Sequence, residues 1–137
     1  MITAVLDTNV LISGTFWLGP PKEVLRRAKQ GHFQAVISPA LLAELHDVLT
    51  RKDKPFRLSM TEAKHVAADL LSHANVVRPK AHVTICRDPA DNRVLECALE
   101  AKVNFVVTGD NHLLEIGRYR EVTIVTVRAF LDHFQQH

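Results

Sequence analysis

The chain of 137 residues contains only two cysteines, Cys86 and Cys97. Two thiols cannot build the disulfide framework of a small secreted protein, which indicates a reducing compartment. No apolar run reaches the roughly 20 residues that span a membrane, and the N-terminus lacks the basic and apolar segments of a signal peptide. We therefore expect a cytoplasmic protein with no membrane partner.

Internal repeats, low-complexity tracts and linkers are also missing, and 47% of the residues are hydrophobic. This composition predicts a single domain over residues 1–137 with one packed core. The eight histidines form no H-E-x-x-H motif and no Cys/His cluster, so no zinc site is predicted. His133 and His137 are four residues apart, but at a C-terminus where a helix is expected to fray.

Short β-rich runs alternate with longer segments of helical periodicity. The predicted strands are 2–7, 33–38, 75–77, 104–108 and 121–127, and the predicted helices are 21–30, 39–50, 61–74, 91–101, 112–116 and 128–135. Alternation of this kind predicts an α/β fold with a parallel sheet covered on both faces. Ligands bind such sheets at the carboxyl ends of the strands.

Four acidic residues are predicted to meet at this edge. Asp7 ends the first strand, and Asp110 follows the fourth strand after a glycine that allows the chain to turn. Asp91 precedes Val94, Leu95 and Ala98 by three, four and seven residues, and therefore lies on the apolar stripe of its helix. By the same spacing Glu96 and Glu100 fall on the opposite side, where solvated carboxylates are expected. Glu44 lies on the flank of the apolar face of its own helix.

Each acid also has an ordinary structural interpretation. Asp7 and Asp110 suit turns, Asp91 suits the first turn of a helix with Asp88 as its N-cap, and Glu44 suits a solvated helix edge. Together, however, four carboxylates at one edge would repel each other by roughly 3 kcal/mol per pair at about 6 Å and an effective dielectric of about 20. Such a cluster requires cations or raised pKa values, and all-oxygen ligands favour Mg²⁺ or Mn²⁺.

At this point the sequence resembles the PIN-domain family of nucleases, closest to its bacterial toxin components of toxin–antitoxin systems. The matching motifs are LDTNVLIS (6–13), Glu44, DPADNRVLECALEA (88–101) and VVTGDNHLL (106–114). The resemblance implies a three-layer α/β/α sandwich around a parallel sheet and cleavage of RNA with one or two Mg²⁺ or Mn²⁺ ions. It also implies an RNA substrate, an antitoxin protein and a homodimer as partners.

The resemblance assigns the metal-site roles to Asp7, Glu44, Asp91 and Asp110. Asn9 would hold the first acid, and Thr108 would supply a hydroxyl near the same edge. These six residues form the predicted catalytic set, with Asp7 and Asp91 as the central ligands and Asp88 as an alternative to Asp91.

Setting the four acids aside leaves 11 acidic against 17 basic residues, so the remaining surface carries about +6. Arg51, Lys52, Lys54 and Arg57 cluster in one connector and are the predicted nucleic-acid contacts, although a solvated basic loop would look the same. Phe16 and Trp17 suit the core, a subunit interface or a surface for stacking a base. His112 suits either a substrate contact or a helix cap.

Two other functions remain open. A haloacid-dehalogenase-type phosphatase also begins with an Asp-Thr at the end of a strand, but it needs a second Asp where Asn9 stands. A non-catalytic module that binds a metal ion or nucleic acid for regulation is the other. In the receiver-domain form of such a module, a pair of acids would stand at the end of the first strand, and no such pair precedes Asp7.

Overall fold

The computed structural model describes residues 1–135, and six strands within this range form one sheet. The strands are β1 (Thr3–Leu6), β2 (Gln34–Ile37), β3 (Ala74–Val76), β4 (Phe105–Val107), β5 (Arg118–Tyr119) and β6 (Val122–Val125). Their order is β3-β2-β1-β4-β6-β5, and every pairing is parallel except that of β5 with β6. The parallel sheet predicted from the sequence is confirmed. The antiparallel edge strand β5 was not predicted, because two residues are too few to show a period.

Seven helices lie within the same range. They are α1 (Thr8–Phe16), α2 (Pro20–Lys29), α3 (Pro39–Leu49), α4 (Met60–Leu71), α5 (Pro89–Ala101), α6 (Asn111–Ile116) and α7 (Val127–Gln135). All but α1 agree with the predicted helices to within a few residues. Among these described helices, none has both the length and the apolar character that crossing a bilayer requires. His137, which was weighed above as half of a histidine pair, lies outside the described residues.

Helix α1 was not predicted, since its sequence shows no helical period. Val10, Leu11 and Ile12 are consecutive and all buried, so the helix lacks a polar face toward solvent over this turn. It begins directly at the end of β1, where the carbonyl of Asp7 accepts hydrogen bonds from the amides of Val10 and Leu11. This short connection fixes Asp7 between a strand and a helix.

Local signals in the sequence explain where other helices begin. Ser59 and Glu62 form the predicted capping box, with Ser59 Oγ accepting from the Glu62 amide at 3.1 Å and Glu62 Oε1 accepting from the Ser59 amide at 3.0 Å. Ser38 caps α3 by accepting from the Leu41 amide at 3.3 Å. Gly31 follows α2 with a φ of +77°, a conformation that glycine adopts without strain.

The helices cover the sheet as the predicted three-layer α/β/α sandwich, which is confirmed. Helix α1 packs against α2 and α3, and α2 packs against α7, whereas α5 lies across β1, β2 and β4. Val5, Val106 and Leu95 are fully buried where α5 meets the central strands. The apolar stripe that placed Asp91 on the buried side of α5 is therefore observed.

The connection from β3 to α5 (77–88) has no regular secondary structure but is held by α5 side chains. Glu96 Oε2 accepts from the Val83 amide at 2.9 Å, and Glu96 also pairs with Arg93 through two contacts of 2.6 and 2.7 Å. Only 6% of Glu96 is exposed, so its prediction as a solvated carboxylate is wrong. The connection covers that side of α5. Its sequence has no periodic pattern from which this packing could be predicted.

Candidate functional site

Asp7 and Thr108 join the ends of two neighbouring strands. Asp7 follows β1 and Thr108 follows β4, and Thr108 Oγ1 donates to Asp7 Oδ2 at 2.6 Å. The backbone makes the same connection, because the Asp7 amide donates to the carbonyl of Val107 at 3.0 Å. Both side chains are buried. The end of the sheet thus holds the Asp7 carboxylate in one orientation.

Asp110 is tied to the same hydroxyl. Its backbone amide donates to Thr108 Oγ1 at 3.0 Å, and its Oδ1 caps α6 by accepting from the amides of His112 and Leu113 at 2.7 and 3.3 Å. Gly109, which was expected to allow the turn, has no positive φ, and a Cβ there would meet no atom within 4 Å. The expectation that this turn depends on glycine is therefore wrong.

Asp91 enters the same region from the first turn of α5. Its exposed fraction is 6%, whereas Asp88 is exposed and caps the helix by accepting from the Ala90 amide at 2.9 Å. Asp88 is therefore the N-cap of α5, and Asp91 is the acid that faces inward. Asp91 is the better candidate for a ligand because its carboxylate caps no helix.

Glu44 approaches from α3 and is half-buried, while Asp47 on the same helix is exposed and pairs with Arg51 at 3.0 Å. Burial raises the pKa of Glu44 most, and the charges of Asp7 and Asp88 raise it further. The four predicted acids therefore come from four separate segments of the chain into one electrostatic neighbourhood. They are not scattered over the surface.

Burial and mutual repulsion raise the pKa values of three of these acids. Burial is the main cause for Asp7, where the Thr108 hydroxyl opposes it and the charge of Asp110 adds to it. Burial and then the charge of Asp7 raise the pKa of Glu44. The pKa of Asp91 rises to about 6 through burial and the charges of Asp110, Asp88 and Asp7. The acids of this site therefore raise one another's pKa values, and Arg51 opposes this at Glu44 while His112 opposes it at Asp91.

The donor chemistry of the site fits a hard divalent cation. Across residues 1–135 no three His, Cys, Asp or Glu side chains stand close enough to form a ready-made metal site. Thr8 Oγ1, however, is buried without a hydrogen-bond partner in this range, although it lies close enough to Glu44 to oppose the rise in the pKa of that residue. An unsatisfied buried hydroxyl beside carboxylates with raised pKa values suits a hydrated Mg²⁺ or Mn²⁺.

Asn9 and His112 were predicted near this site. Asn9 is exposed at the start of α1, and its backbone amide rather than its side chain opposes the rise in the pKa of Asp7. His112 is exposed, its amide donates to Asp110, and its charge lowers the pKa of Asp91. Both residues therefore lie at the rim of the acidic site.

Sequence reasoning missed two residues here, Thr8 and Cys86. Thr8 directly follows the first acid, but nothing in the sequence reveals that its hydroxyl is buried without a partner. The pKa of the half-buried Cys86 is raised by burial and by the charges of Asp91, Asp110 and Asp88. Its position two residues before Asp88 was the available signal.

The predicted basic connector lies beyond the end of α3. Arg51, Lys52 and Arg57 are exposed, and the charge of Arg51 lowers the pKa of Glu44, so this residue is electrostatically coupled to the acids. Three aromatic rings attach the connector to the end of α1: Phe16 stacks on Phe56 at 4.6 Å between ring centroids, and Trp17 meets Phe56 edge-on at 6.0 Å. Phe16 packs against the core, whereas Trp17 is about half exposed.

A separate groove of about 510 Å³ lies between α1, α2 and α4. Its floor is apolar, with Leu11, Leu25 and Leu70 among the lining residues, and Lys29 pairs with Asp69 at 3.1 Å across it. None of the four predicted acids lines this groove. The site at the strand ends is therefore distinct from it.

Comparison with known proteins agrees with this fold. The PIN domain family model matches residues 3–112. The uncharacterised protein MJ1680 of Methanocaldococcus jannaschii is 24% identical over 98% of this chain and 93% of its own length. VapBC2 from Rickettsia felis, solved bound to a DNA fragment from their promoter, aligns with a TM-score of 0.63 and 15% identity over 91% of this chain and 98% of the other. VapBC-1 from nontypeable Haemophilus influenzae aligns with a TM-score of 0.63 and 17% identity over 93% and 99%.

These findings define an α/β protein with carboxylates gathered at the carboxyl ends of its central strands. The family model covers most of the chain, including three of the four motifs in full and the fourth as far as His112. The chain belongs to the PIN domain family. The resemblance inferred from the sequence is thereby confirmed, and the alternative phosphatase family gains no support.

Proposed function

We propose that the chain is an endoribonuclease dependent on Mg²⁺ or Mn²⁺ that hydrolyses RNA phosphodiester bonds as the toxin of a toxin–antitoxin pair. The observation that carries this proposal is the group of acids with raised pKa values, Asp7, Glu44 and Asp91, of which Asp7 is held by Thr108 at the strand ends. Membership of the PIN domain family supports it, because PIN domains are typically nucleases.

Asp7 and Asp91 are the central ligands in this proposal, and Glu44 and Asp110 complete the acidic set. Asp7 is oriented by Thr108, and Asp91 is fixed by the first turn of α5. A divalent cation held by these residues would neutralise the phosphate charge and lower the pKa of the attacking water. Without neutralisation the acids would repel an anionic phosphodiester.

Glu44 is the residue we assign to the attacking water. Asp110 uses one carboxylate oxygen to cap α6, whereas Glu44 caps no helix. Burial and the charge of Asp7 raise the pKa of Glu44, and a raised pKa makes a carboxylate a better proton acceptor. Glu44 takes a proton from the water as its oxygen bonds to phosphorus, the bond from phosphorus to the 3′ oxygen breaks, and that oxygen takes a proton from solvent as it leaves. The products are a 5′-phosphate and a 3′-hydroxyl.

The partners follow from the same family relationship. RNA is the proposed substrate, and Arg51, Lys52, Lys54 and Arg57 are proposed to attract its backbone toward Glu44. The alignments with two VapBC proteins support an antitoxin as the protein partner. The exposed Trp17 and Leu18 offer an apolar surface for a second copy of the chain.

The test is cleavage of a labelled single-stranded RNA by the purified chain with Mg²⁺, Mn²⁺ or chelator. We expect cleavage with either ion, none with chelator, and loss of at least 100-fold in rate for Asp91→Asn. Asp69→Asn, an exposed acid outside the site, is the matched control and should retain full activity. Metal binding without any cleavage would instead support a non-catalytic regulatory module.

A further inference from the structure

A second concavity of about 340 Å³ lies beside α5, and we call it the Arg78 pocket. Its walls are the first turn of α3 (38–40), the connection after β3 (78–82), and Arg93 and Glu96 of α5. Three cations and a histidine line it against one carboxylate. None of the four acids of the proposed active site lines this pocket.

The single carboxylate of this pocket is already neutralised. Glu96 makes a two-point pair with Arg93, accepts from the Val83 amide, and lies 3.6 Å from His82 Nδ1. Arg78 and Lys80 are exposed, and within residues 1–135 their side chains make no hydrogen bond or ion pair. Two uncommitted cations therefore give the pocket its charge, and they favour an anionic ligand.

The connection that carries these cations is held in place at regular intervals. The side chains of Asn92, Glu96 and Glu100 lie one helical turn apart on α5. Glu100 accepts from the Lys80 amide at 2.9 Å, Glu96 from the Val83 amide at 2.9 Å, and Asn92 from the Cys86 amide at 2.9 Å. These three bonds fix the backbone of a segment that has no regular secondary structure. Its two uncommitted cations, Arg78 and Lys80, therefore extend from a fixed backbone.

The same connection leads directly into the proposed active site. Cys86, at its far end, lies within the electrostatic field of Asp91, Asp110 and Asp88. The first turn of α3 forms one wall of the pocket, and Glu44 lies further along that helix. A polymer lying across α5 could therefore contact both sites.

We infer that the Arg78 pocket binds a backbone phosphate of the RNA strand that is cleaved at the acids. This inference rests on the proposed function, since it takes the strand to be the substrate. The acids repel a polyanion, so cations on one side of them are needed to hold the strand in place. The pocket supplies binding and takes no part in the chemistry. It is a surface separate from the basic connector of residues 51–57.

The test compares two double variants of the full chain with the same change in charge. Arg78→Gln/Lys80→Gln removes the uncommitted cations and keeps the backbone amide that Glu100 binds. Lys64→Gln/Arg128→Gln removes two exposed cations of α4 and α7, which line neither the pocket nor the site. Binding of a fluorescein-labelled single-stranded RNA of about 15 nucleotides is measured in chelator by anisotropy between 50 and 200 mM salt.

We expect the pocket variant to bind roughly tenfold more weakly at 0.1 M salt, with the slope of log K against log[salt] reduced by about 0.7, the value for one lost phosphate contact. The control pair should lose less than about threefold. Single-stranded DNA of the same sequence should show the same difference, because the shared group is the phosphodiester. Equal losses in both variants would overturn the inference, and so would a loss confined to RNA.

Kinetics separate this inference from the proposed function. If the chain cleaves RNA, the pocket variant should raise KM about tenfold and leave kcat unchanged, whereas an unchanged KM would overturn the pocket and leave the nuclease standing. If the chain does not cleave RNA, the difference in binding still supports the pocket while the nuclease proposal fails.

A pocket variant that loses binding of polyglutamate but keeps binding of RNA would overturn the inference and reassign the site to an acidic protein.

Discussion

Thr108 donates a hydrogen bond of 2.6 Å to the carboxylate of Asp7, although 101 residues separate the two in the sequence. The same hydroxyl accepts from the Asp110 amide at 3.0 Å, so one buried side chain positions two acids. The parallel pairing of β1 with β4 brings these residues together. Through Thr108, the pairing of β1 with β4 therefore determines how two acids of the proposed site are positioned.

Removing this hydroxyl should weaken both the fold and ion binding. Thr108→Val keeps the shape of the side chain but leaves the Asp110 amide and one Asp7 oxygen without their partner. We expect a loss of about 1–3 kcal/mol in the free energy of unfolding and weaker binding of Mn²⁺, measured by urea denaturation and calorimetry. Thr123→Val, at a half-buried position of β6, is the control, and Thr108→Ser should restore both properties. A Thr108→Val protein that matches the wild type in both would refute the role of the hydroxyl.

The stability of the ion-free protein should depend on the ionisation of Asp91. Its pKa is about 6 in the folded chain against 3.8 as the ordinary value. The folded state therefore holds the proton more tightly, and stability from this group is present below about pH 3.8 and is lost as the pH rises through 6. The loss is at most about 3 kcal/mol, and nearer 1–2 kcal/mol with screening at the open side of the site.

Urea denaturation of wild type and Asp91→Asn at several pH values in chelator measures this effect. The difference between them should move in favour of Asp91→Asn between pH 4 and pH 7.5, and Mg²⁺ should restore the wild type at pH 7.5. If the free energies of unfolding of wild type and Asp91→Asn change in parallel with pH, the pKa of the Asp91 carboxyl is not raised in the folded chain.

Glu96 should be more important for stability than Glu100. Glu96→Gln removes the charge that neutralises Arg93 and weakens the bond to the Val83 amide, so we expect a loss of about 1–3 kcal/mol in the free energy of unfolding. Glu100→Gln, which affects one bond at a partly exposed site, should lose less than about 1 kcal/mol. Thermal or urea unfolding of both variants decides the order, and equal losses would contradict the account of the buried carboxylate.

Gly14 should tolerate no side chain, whereas Gly109 should. A Cβ at Gly14 would stand 2.6 Å from Leu25 Cδ1 and 2.8 Å from the carbonyl oxygen of Pro21, which would force α1 and α2 apart. We expect Gly14→Ala to lose about 1–3 kcal/mol in the free energy of unfolding. Gly109→Ala should be neutral or slightly stabilising, because it meets nothing and needs no positive φ. A destabilised Gly109→Ala together with an unaffected Gly14→Ala would reverse this assignment.

Features that depend on local sequence were predictable. The apolar stripe of α5 identified Asp91, and the capping box at Ser59 identified the start of α4, because each follows from residues within two helical turns. Parallel strands were predicted from their alternation with helices, and this alternation alone was enough to assign Asp7 and Asp110 to one edge of the sheet.

Features that depend on distant segments were not predictable. Glu96 is buried by the irregular connection of residues 77–88, and a helical period cannot show what packs over a helix from elsewhere in the chain. Helix α1 is buried around Val10, Leu11 and Ile12, so it lacks the polar face that reveals a helix in sequence. The bond from Thr108 to Asp7 depends on the register of β1 and β4, which only the fold determines.

The most direct test of the account is calorimetric titration of Mn²⁺ into the ion-free protein at pH 7, comparing wild type, Asp7→Asn and Asp47→Asn. Asp47 shares α3 with Glu44 but is exposed, and therefore controls for a change of one charge near the site. The account predicts saturable binding to wild type and Asp47→Asn, and binding at least tenfold weaker to Asp7→Asn. Equal affinity in all three folded proteins would contradict it.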